Sequence, residues 1–381
     1  IGMDPVQFRL KNLNEVGNPD SHKPFSNPGI RDCIQAVADK IGWTQNWHAP
    51  KAKQVRPGVY HGIGMAAHAC SHGGGIQTAT GQAIANTDGS IQVISACNDI
   101  GDGQRTEMAM IAAEVLGVPF TQVSISIPVD TDFTTDTGGT FGSQQTNTGG
   151  RGVYEAAQDL RSLLLDQGAK KLMADAKKKG QSLSLKAEDM DMQAGEIVVK
   201  SDPKTKASIG SVAQFAGGPI LGRSLYKQPQ TWERTAWAAH AAEIEVDTAT
   251  AEIKILKYVA AHDVGRALNP FALEQQIEGG VVMAMGAART EELLLDKATG
   301  LPLNGNLLDY KPLSIKDAPL AEVILIEHPK EYGVFGAHGI GEPPMSAPAP
   351  TMVNAVHNAV GVWITDMPLT REKLQAALKG L

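Results

Sequence analysis

The sequence predicts a mixed α+β protein arranged as two lobes. Three observations point to it. Strand-like segments of alternating or continuous apolar residues are joined by short turn signals, helical segments of 3.6-residue periodicity interrupt them irregularly, and no internal repeat is present. The 381 residues, 42% of them hydrophobic, suffice for a substantial core.

Asp4-Pro5 starts a short amphipathic helix, proline being compatible with the first turn. Ser26-Asn27-Pro28-Gly29 forms a turn and cap before a helix over 30–41, where Cys33, Val37 and Ile41 share a face. Strands are predicted at 59–66, 83–85 and 91–94, the last two joined by the hairpin turn Thr87-Asp88-Gly89-Ser90. A helix over 104–116 and an alternating strand at 123–127 follow. Residues 130–152, with seven threonines and six glycines, read as a loop. A long helix should then run from 153 to about 178, its lysine-rich end at Lys177-Lys178-Lys179 solvated, with a polar, exposed section at 201–208. Strands at 239–246 and 253–261 flank a hairpin at 247–251, and a helix covers 270–287. A strand at 321–327, a glycine-rich loop at 333–341 and helices at 349–359 and 370–378 complete the chain.

Composition narrows the function. Glycine occupies 40 positions, about one in ten against a usual ~7%. The formal charge is −7 and only Lys177-Lys178-Lys179 forms a basic cluster, which argues against a nucleic-acid partner. Cys33, Cys70 and Cys97 lie far apart without a CxxC, so thiolate-held zinc or iron–sulfur centres and a disulfide framework are not expected. The longest apolar run, 281–288, is under half of the ~18 residues that a membrane span needs. With no signal-peptide pattern at the start, the expected location is the cytoplasm.

Three segments carry chemistry. Asp99-Ile100-Gly101-Asp102-Gly103-Gln104-Arg105-Thr106 lies between a strand and a helix, where glycines let backbone N–H groups approach an anion, or simply let the chain leave the strand. The stretch 134–150 offers hydroxyl, amide and backbone donors without cations. That suits a phosphate bearing a polar heterocycle, or else a surface linker. Gly339-Ile340-Gly341-Glu342-Pro343-Pro344 holds a carboxylate between glycines and two prolines of fixed φ. Such a group can be tuned as a general base, or can be a surface glutamate favoured at a helix N-terminus.

Taken in order, these segments make the sequence resemble the molybdenum hydroxylases, the xanthine dehydrogenase and aldehyde oxidoreductase family, over the C-terminal half of their molybdopterin-binding subunit. Gly2-Met3-Asp4-Pro5 with Phe8-Arg9-Leu10-Lys11-Asn12, Asp263-Val264-Gly265 with Leu268-Asn269-Pro270, Gln276-Ile277-Glu278-Gly279 and Asn306-Leu307-Leu308-Asp309-Tyr310-Lys311 add to the likeness. The resemblance implies two mixed α/β lobes of a molybdopterin-binding domain. An N-terminal helical segment at 1–57 would continue from a missing first half, followed by a cofactor-binding lobe at 58–205 and a second lobe with the catalytic loop at 206–381. It implies molybdopterin, as the cytosine dinucleotide, with molybdenum held by the pterin dithiolene and no metal ligand from the chain. Glu342 would be the catalytic base, taking a proton as water-derived oxygen reaches an electrophilic carbon of a heterocycle, aldehyde or related small substrate. Ile100, Gly101, Asp102, Gly103, Thr140, Phe141, Gly142, Ser143, Gln144, Gln145 and Gln276 would contact the cofactor. The [2Fe-2S] clusters and FAD would sit on partner subunits, and a further chain would supply the N-terminal half of the molybdopterin subunit.

Two departures bear on this reading. Asp102 stands where the family's GQG loop has glutamine, and a carboxylate cannot donate as an amide does. Ala69-Cys70-Ser71-His72-Gly73 has no aromatic to sandwich a purine, leaving Ser71 and His72 as a polar substrate wall or a structural turn. An aromatic acyl-CoA reductase of the same family, or a noncatalytic assembly subunit, are the alternatives. Retention of Gly341-Glu342-Pro343-Pro344 favours a catalytic role.

Overall fold

The computed structural model describes residues 1–71, 78–126, 129–130, 132, 134, 137 and 139–380. Helices α1 (Pro5–Lys11), α2 (Ile30–Ile41) and α3 (Trp43–Asn46) come first, then strands β1 (Gln54–Arg56), β2 (Val59–Ser71), β3 (Thr78–Ala85) and β4 (Ile91–Ile94). Next are α4 (Gln104–Leu116), β5 (Val123–Ile125), α5 (Gly149–Lys178), β6 (Met190–Gln193), β7 (Glu196–Val199), β8 (Asp202–Ser208), α6 (Ile209–Phe215) and β9 (Ile220–Lys227). The chain ends with β10 (Thr235–Asp247), β11 (Glu252–Asp263), α7 (Pro270–Arg289), β12 (Ala321–Ile326), α8 (Pro348–Val360) and α9 (Arg371–Lys379). Contacts divide it into two units: Ile1–His72, Thr231–Glu331 and Ile340–Leu381 form one, Gly73–Gln230 and Tyr332–Gly339 the other. The sequence drew its boundaries at 57 and 205; the chain divides otherwise because β2 takes β10, far along the sequence, as its partner.

In the first unit the sheet runs β1-β2-β10-β11-β12, antiparallel except for the β11/β12 pair. Its centre is buried on both faces, so β10 reads as an almost continuous apolar run rather than an alternation. On one face Cys33, Ile34 and Val37 of α2 meet Ile63, Met65, Ala239, Ala241 and Val259. On the other, Ile277 and Val281 of α7 and Met352, Ala355 and Val356 of α8 cover Ala242, Ile244, Tyr258 and Ala260. Helix α8 lies unusually close to β2. A Cβ on Gly64 would fall 2.2 Å from Ala355 N, and one on Gly62 2.3 Å from Ala355 O.

A buried ion pair pins the first unit's loops. Asp263, at the end of β11, accepts from Lys330 Nζ, Gly29 N (2.9 Å) and Gly265 N (3.0 Å), while Lys330 also donates to Asn27 O (2.6 Å). Both side chains are essentially inaccessible. Removing either partner would strand a buried charge, so the pair fixes where the Ser26–Gly29 turn and the segment after β12 meet.

The second unit holds a sheet of order β5-β4-β3-β9 and a smaller one of order β6-β7-β8. Helix α5, 30 residues or about 45 Å long, crosses the larger sheet through glycines. A Cβ on Gly81 would lie 2.7 Å from Gly152 O, and one on Gly222 2.4 Å from Ala156 O. Helix α5 therefore begins at Gly149, inside the segment expected to be loop. Its first glycines are buried contact points, Gly150 against Ile111 of α4. Strands β6 to β9 and β1 were not expected; β8 buries only Ala207 fully and so shows no period-2 signal.

Two histidines in the first sheet titrate in a predictable direction. His240 Nε2 and His262 Nε2 are 2.8 Å apart, with His240 Nδ1 2.9 Å from Tyr258 Oη, and both rings are fully buried. One facing nitrogen must accept what the other donates, which holds two neutral rings. Burial, reinforced by the neighbouring imidazoles, pushes His240 down to about 3 and His262 well below the ordinary value. The unfolded chain binds protons at about 6.5 that the folded chain refuses, so this stability is complete above 6.5 and is lost as pH falls toward 3. Hydrogen exchange corrected for intrinsic rate should give β10 and β11 amides a smaller opening free energy at about pH 5 than at about pH 7.5. An equal or larger value at the lower pH would show that the pair is charged in the fold.

The α8 contact makes a second prediction. Gly64→Ala should cost at least the ~1–3 kcal/mol of ordinary overpacking, because backbone atoms rather than a side-chain end stand in the way. An unshifted denaturation midpoint would mean that α8 can back away without loss.

Candidate functional site

In the first unit the Gly341-Glu342-Pro343-Pro344 turn leads into α8. Pro343 and Pro344 are buried, and Glu342 is exposed. The turn rests on α7 where that helix has no side chain: a Cβ on Gly280 would lie 2.5 Å from Pro344 Cβ. Four residues earlier on α7, Gln276 Nε2 donates to Gly341 O at 2.7 Å. The carboxylate is thus carried on a turn fixed from both sides. The end of β2 lies beside it. Burial pushes the Cys70 thiol up to about 11, the hydrogen bond with Ser346 opposing and the Glu342 charge reinforcing that rise. Ser71, next to Cys70, is exposed and pairs with Thr235 of β10, whereas His72 lies outside the described residues.

In the second unit, the Asp99–Thr106 turn is organised by its own carboxylates. Asp99 Oδ1 accepts from Gly101 N at 2.9 Å and Gly103 N at 3.4 Å. Partial burial works to raise the Asp99 carboxyl, and donors at Gly101, Gly103 and Arg105 more than offset it, leaving it below the ordinary range. Glycine is required here, with φ at +106° for Gly101 and +77° for Gly103. Asp102 Oδ2 accepts from Gln104 Nε2 at 2.7 Å, and Gln104 Oε1 accepts from Cys97 Sγ at 2.6 Å. Asp102 Oδ1 is buried without a hydrogen-bond partner. Ile100 is 70% exposed.

The second loop is polar, and among its described residues Thr137, Gln144, Gln145, Asn147 and Thr148 are buried. Thr140 Oγ1 donates to Asn98 O at 3.0 Å, tying it to the first turn. Gln144 and Gln145 both donate to Gly139 O, at 3.2 and 2.7 Å, and Gln145 also reaches Thr137 Oγ1 at 3.1 Å. Gly142 and Ser143 both have positive φ, +59° and +54°, a strained arrangement for the serine. Phe141 stands 60% exposed at the tip. A Cβ on Gly339 would fall 2.0 Å from Ser143 O, so this loop lies directly on the second unit's own 332–339 segment. Gln145 Oε1 and both amide atoms of Asn147 are buried with no hydrogen-bond partner. Such groups cost about 1–3 kcal/mol each when unmet, a reason for them to be held beside a polar ligand.

Glu107, Asn147 and Cys70 were not singled out by the sequence. Glu107, in the first turn of α4, accepts from Thr146 Oγ1 at 3.2 Å and so joins the two loops. Burial pushes its carboxyl up to about 7, with the Thr146 bond opposing and the Asp102 charge adding to the rise. The sequence offers only an acidic residue at a helix start, where the macrodipole alone explains it. Conversely, Asp263 belongs to a segment that adds to the family likeness, and its carboxylate is taken up by Lys330, Gly29 and Gly265.

Residues 36–319 match the family model described as molybdopterin cofactor-binding domain. The chain is 31% identical to the xanthine dehydrogenase molybdenum-binding subunit of Escherichia coli O157:H7, over 98% of its own length and 49% of that protein's. It is 29% identical to the aldehyde oxidoreductase molybdenum-binding subunit of Escherichia coli K12, with 98% and 48% covered. Among solved structures, quinoline 2-oxidoreductase from Pseudomonas putida 86 superposes with a TM-score of 0.84 at 23% identity, covering 99% of this chain and 50% of that one. The chain therefore spans about half the length of the curated relatives it matches, and it belongs to the molybdopterin cofactor-binding domain family. Its residues fit such a group: buried amides with unmet bonding capacity and a hydroxyl-rich, cation-free loop suit a polar pterin and its phosphate.

The Glu107 bridge predicts a pH effect of definite sign. A carboxyl raised from 4.5 to about 7 keeps its proton in the folded state, so stability is lost as pH rises through that window and stays low above it. Glu107→Gln keeps an acceptor for Thr146 without the charge. It should raise the thermal midpoint at about pH 8, by the equivalent of roughly 1–3 kcal/mol, and change it little at about pH 5. A loss at both pH values would show that the carboxylate is needed ionised.

Proposed function

Given that membership, we propose that this chain supplies the half of a molybdopterin site that bears the general base of a multi-subunit molybdenum hydroxylase. The substrate class is a heterocycle, an aldehyde or a related small organic molecule that receives water-derived oxygen. The observation that carries this reading is the mounting of Glu342, an exposed carboxylate on a turn clamped by Gln276 and by proline packing on Gly280. A surface glutamate serving only a helix end needs no such clamp.

Thr140, Phe141, Gly142, Ser143, Gln144 and Gln145, with the turn at Ile100, Gly101, Asp102 and Gly103, would hold the cofactor as its cytosine dinucleotide, and Gln276 would orient the turn bearing Glu342. When bound, the cofactor supplies two-electron redox chemistry and activation of the transferred oxygen. Glu342 takes up the proton released in that transfer, its side chain held in reach by the prolines behind it. Ser71 would offer a polar wall toward substrate, the matching expectation for His72 lying outside the described residues. The [2Fe-2S] clusters and FAD on partner subunits would accept the electrons. A further polypeptide would supply the rest of the molybdopterin site, in an assembly placed in the cytoplasm. No helix among the described residues is long and apolar enough to cross a membrane.

Glu342→Gln in the complex purified with its native partners tests the assignment. Turnover should fall by at least the ~10²-fold that a positioned proton acceptor contributes, with molybdenum content and subunit association unchanged. Near wild-type turnover at full metal occupancy would remove Glu342 from the mechanism.

A further inference from the structure

Between α7 and β12 the chain forms an arm over residues 290–320, with no helix or strand of its own. Polar side chains close its turns. Asn304, almost fully buried, donates Nδ2 to Glu292 O at 2.7 Å and accepts from Leu294 N at 2.9 Å. Asn306 Oδ1 accepts from Leu308 N at 2.8 Å and Asp309 N at 3.1 Å, and Tyr310 Oη donates to Glu291 Oε2 at 2.7 Å. Thr290 Oγ1 donates to Lys311 O at 2.7 Å. Apart from Leu313, which packs against the core, its aliphatic side chains include six that face outward: Leu301 and Leu303 are 64% exposed, Leu307 80%, Leu308 77%, Ile315 94% and Leu320 95%. An ordinary surface loop does the reverse, turning its aliphatics in and its polar groups to water. Exposed apolar side chains scattered singly are common; six on one internally braced arm mark a surface built to be covered.

We propose that this arm is a docking face for the part of the protein assembly that corresponds to the half of the relatives' length this chain does not match. The inference rests on the half-site reading above. The length argument selects the occupant: the chain aligns over 98% of itself but 49% of its relative, so a protein portion of similar size has its counterpart elsewhere. Two such portions sharing one cofactor site need a permanent interface, and permanent interfaces are apolar, like a domain core cut in two. A transient partner would meet a face no more apolar than the rest of the surface. The arm also follows α7, which carries Gln276 and Gly280, so covering it would brace the helix under the Glu342 turn.

The test mixes this chain with a separately produced polypeptide spanning the unmatched half and measures association by sedimentation and hydrogen exchange. Wild-type complex formation should protect amides of 300–320, and Leu307→Glu with Leu308→Glu should weaken it at least ~100-fold, the range of a central hot spot. Both leucines are exposed, so the variant's own thermal midpoint should not move; Leu225→Glu, an equally exposed leucine in the second unit, should leave binding intact. Wild-type affinity in the double variant, or no protection at 300–320 in the complex, overturns the arm assignment while leaving the half-site reading in place. Failure of the wild-type chain to bind at all overturns both. Self-association of the wild-type chain that the double variant abolishes, with binding to the other half unchanged, makes a second copy the occupant and also overturns the proposal.

Discussion

Helix α8 lies against β2 at a distance that only glycine permits, and the position of Glu342 follows from that contact. With Gly62 and Gly64 facing Ala355, Ala359 and the carbonyl of Thr351, the backbones of helix and strand approach without intervening side chains. The approach is possible because the helix offers alanines on the same face, and it buries Met352 and Val356 fully in the sheet's core. Glu342 sits six residues before the helix, joined to it by a turn whose prolines have fixed φ. Little freedom is left between the strand that bears Cys70 and Ser71 and the carboxylate. The contact of Pro344 with Gly280 repeats the same device on α7, a missing side chain on one element admitting the close approach of another.

In the second unit small residues do the same work for a different purpose. Gly81, Gly152 and Gly222 let α5 lie on the sheet, and the loop before α5 is drawn inward with it. That burial explains why Gln144, Gln145, Asn147 and Thr148 are hidden although their composition suggests a surface linker. Burying polar groups is costly unless they are hydrogen-bonded, and here several are bonded to one another and some are not. A loop selected only for stability would have replaced the unmet amides by apolar groups.

Much of the fold was legible because its signals are local. The predicted helices at 30–41, 104–116 and 270–287 correspond to α2, α4 and α7, each marked by a cap, a glycine turn or a proline at its start. The hairpins at 87–90 and 247–251 join antiparallel partners, as Asp-containing turns between apolar runs suggest. What was not legible depends on burial from a distance. Strand β9 contains Gly222, Arg223 and Ser224, which break an apolar pattern, yet Gly222 is there to admit α5 and Ser224 Oγ to donate to Gly152 O. The glycine-framed segments around Asp102, Ser143 and Glu342 could be read from sequence. The elevated carboxyl of Glu107 could not, since it arises chiefly from burial in the fold, which no local residue pattern encodes.

The two loops of the second unit divide their hydrogen-bonding capacity unequally. In the Asp99–Thr106 turn the N–H groups of Gly101 and Gly103 are directed at Asp99, and the amide of Gln104 at Asp102. A glycine turn that seems, from sequence, to offer its backbone to an anion is instead satisfied by carboxylates of its own. The substitution of Asp102 for an amide is compensated within the turn, because Gln104 supplies a donor two residues away and faces back onto it. Among the described residues, buried side-chain atoms without a partner occur in both, at Asp102 Oδ1 and Arg105 Nε in the turn and at Gln145 Oε1 and both amide atoms of Asn147 in the other loop. The amide side chain of Gln145 in that loop is held in place by Gly139 and Thr137.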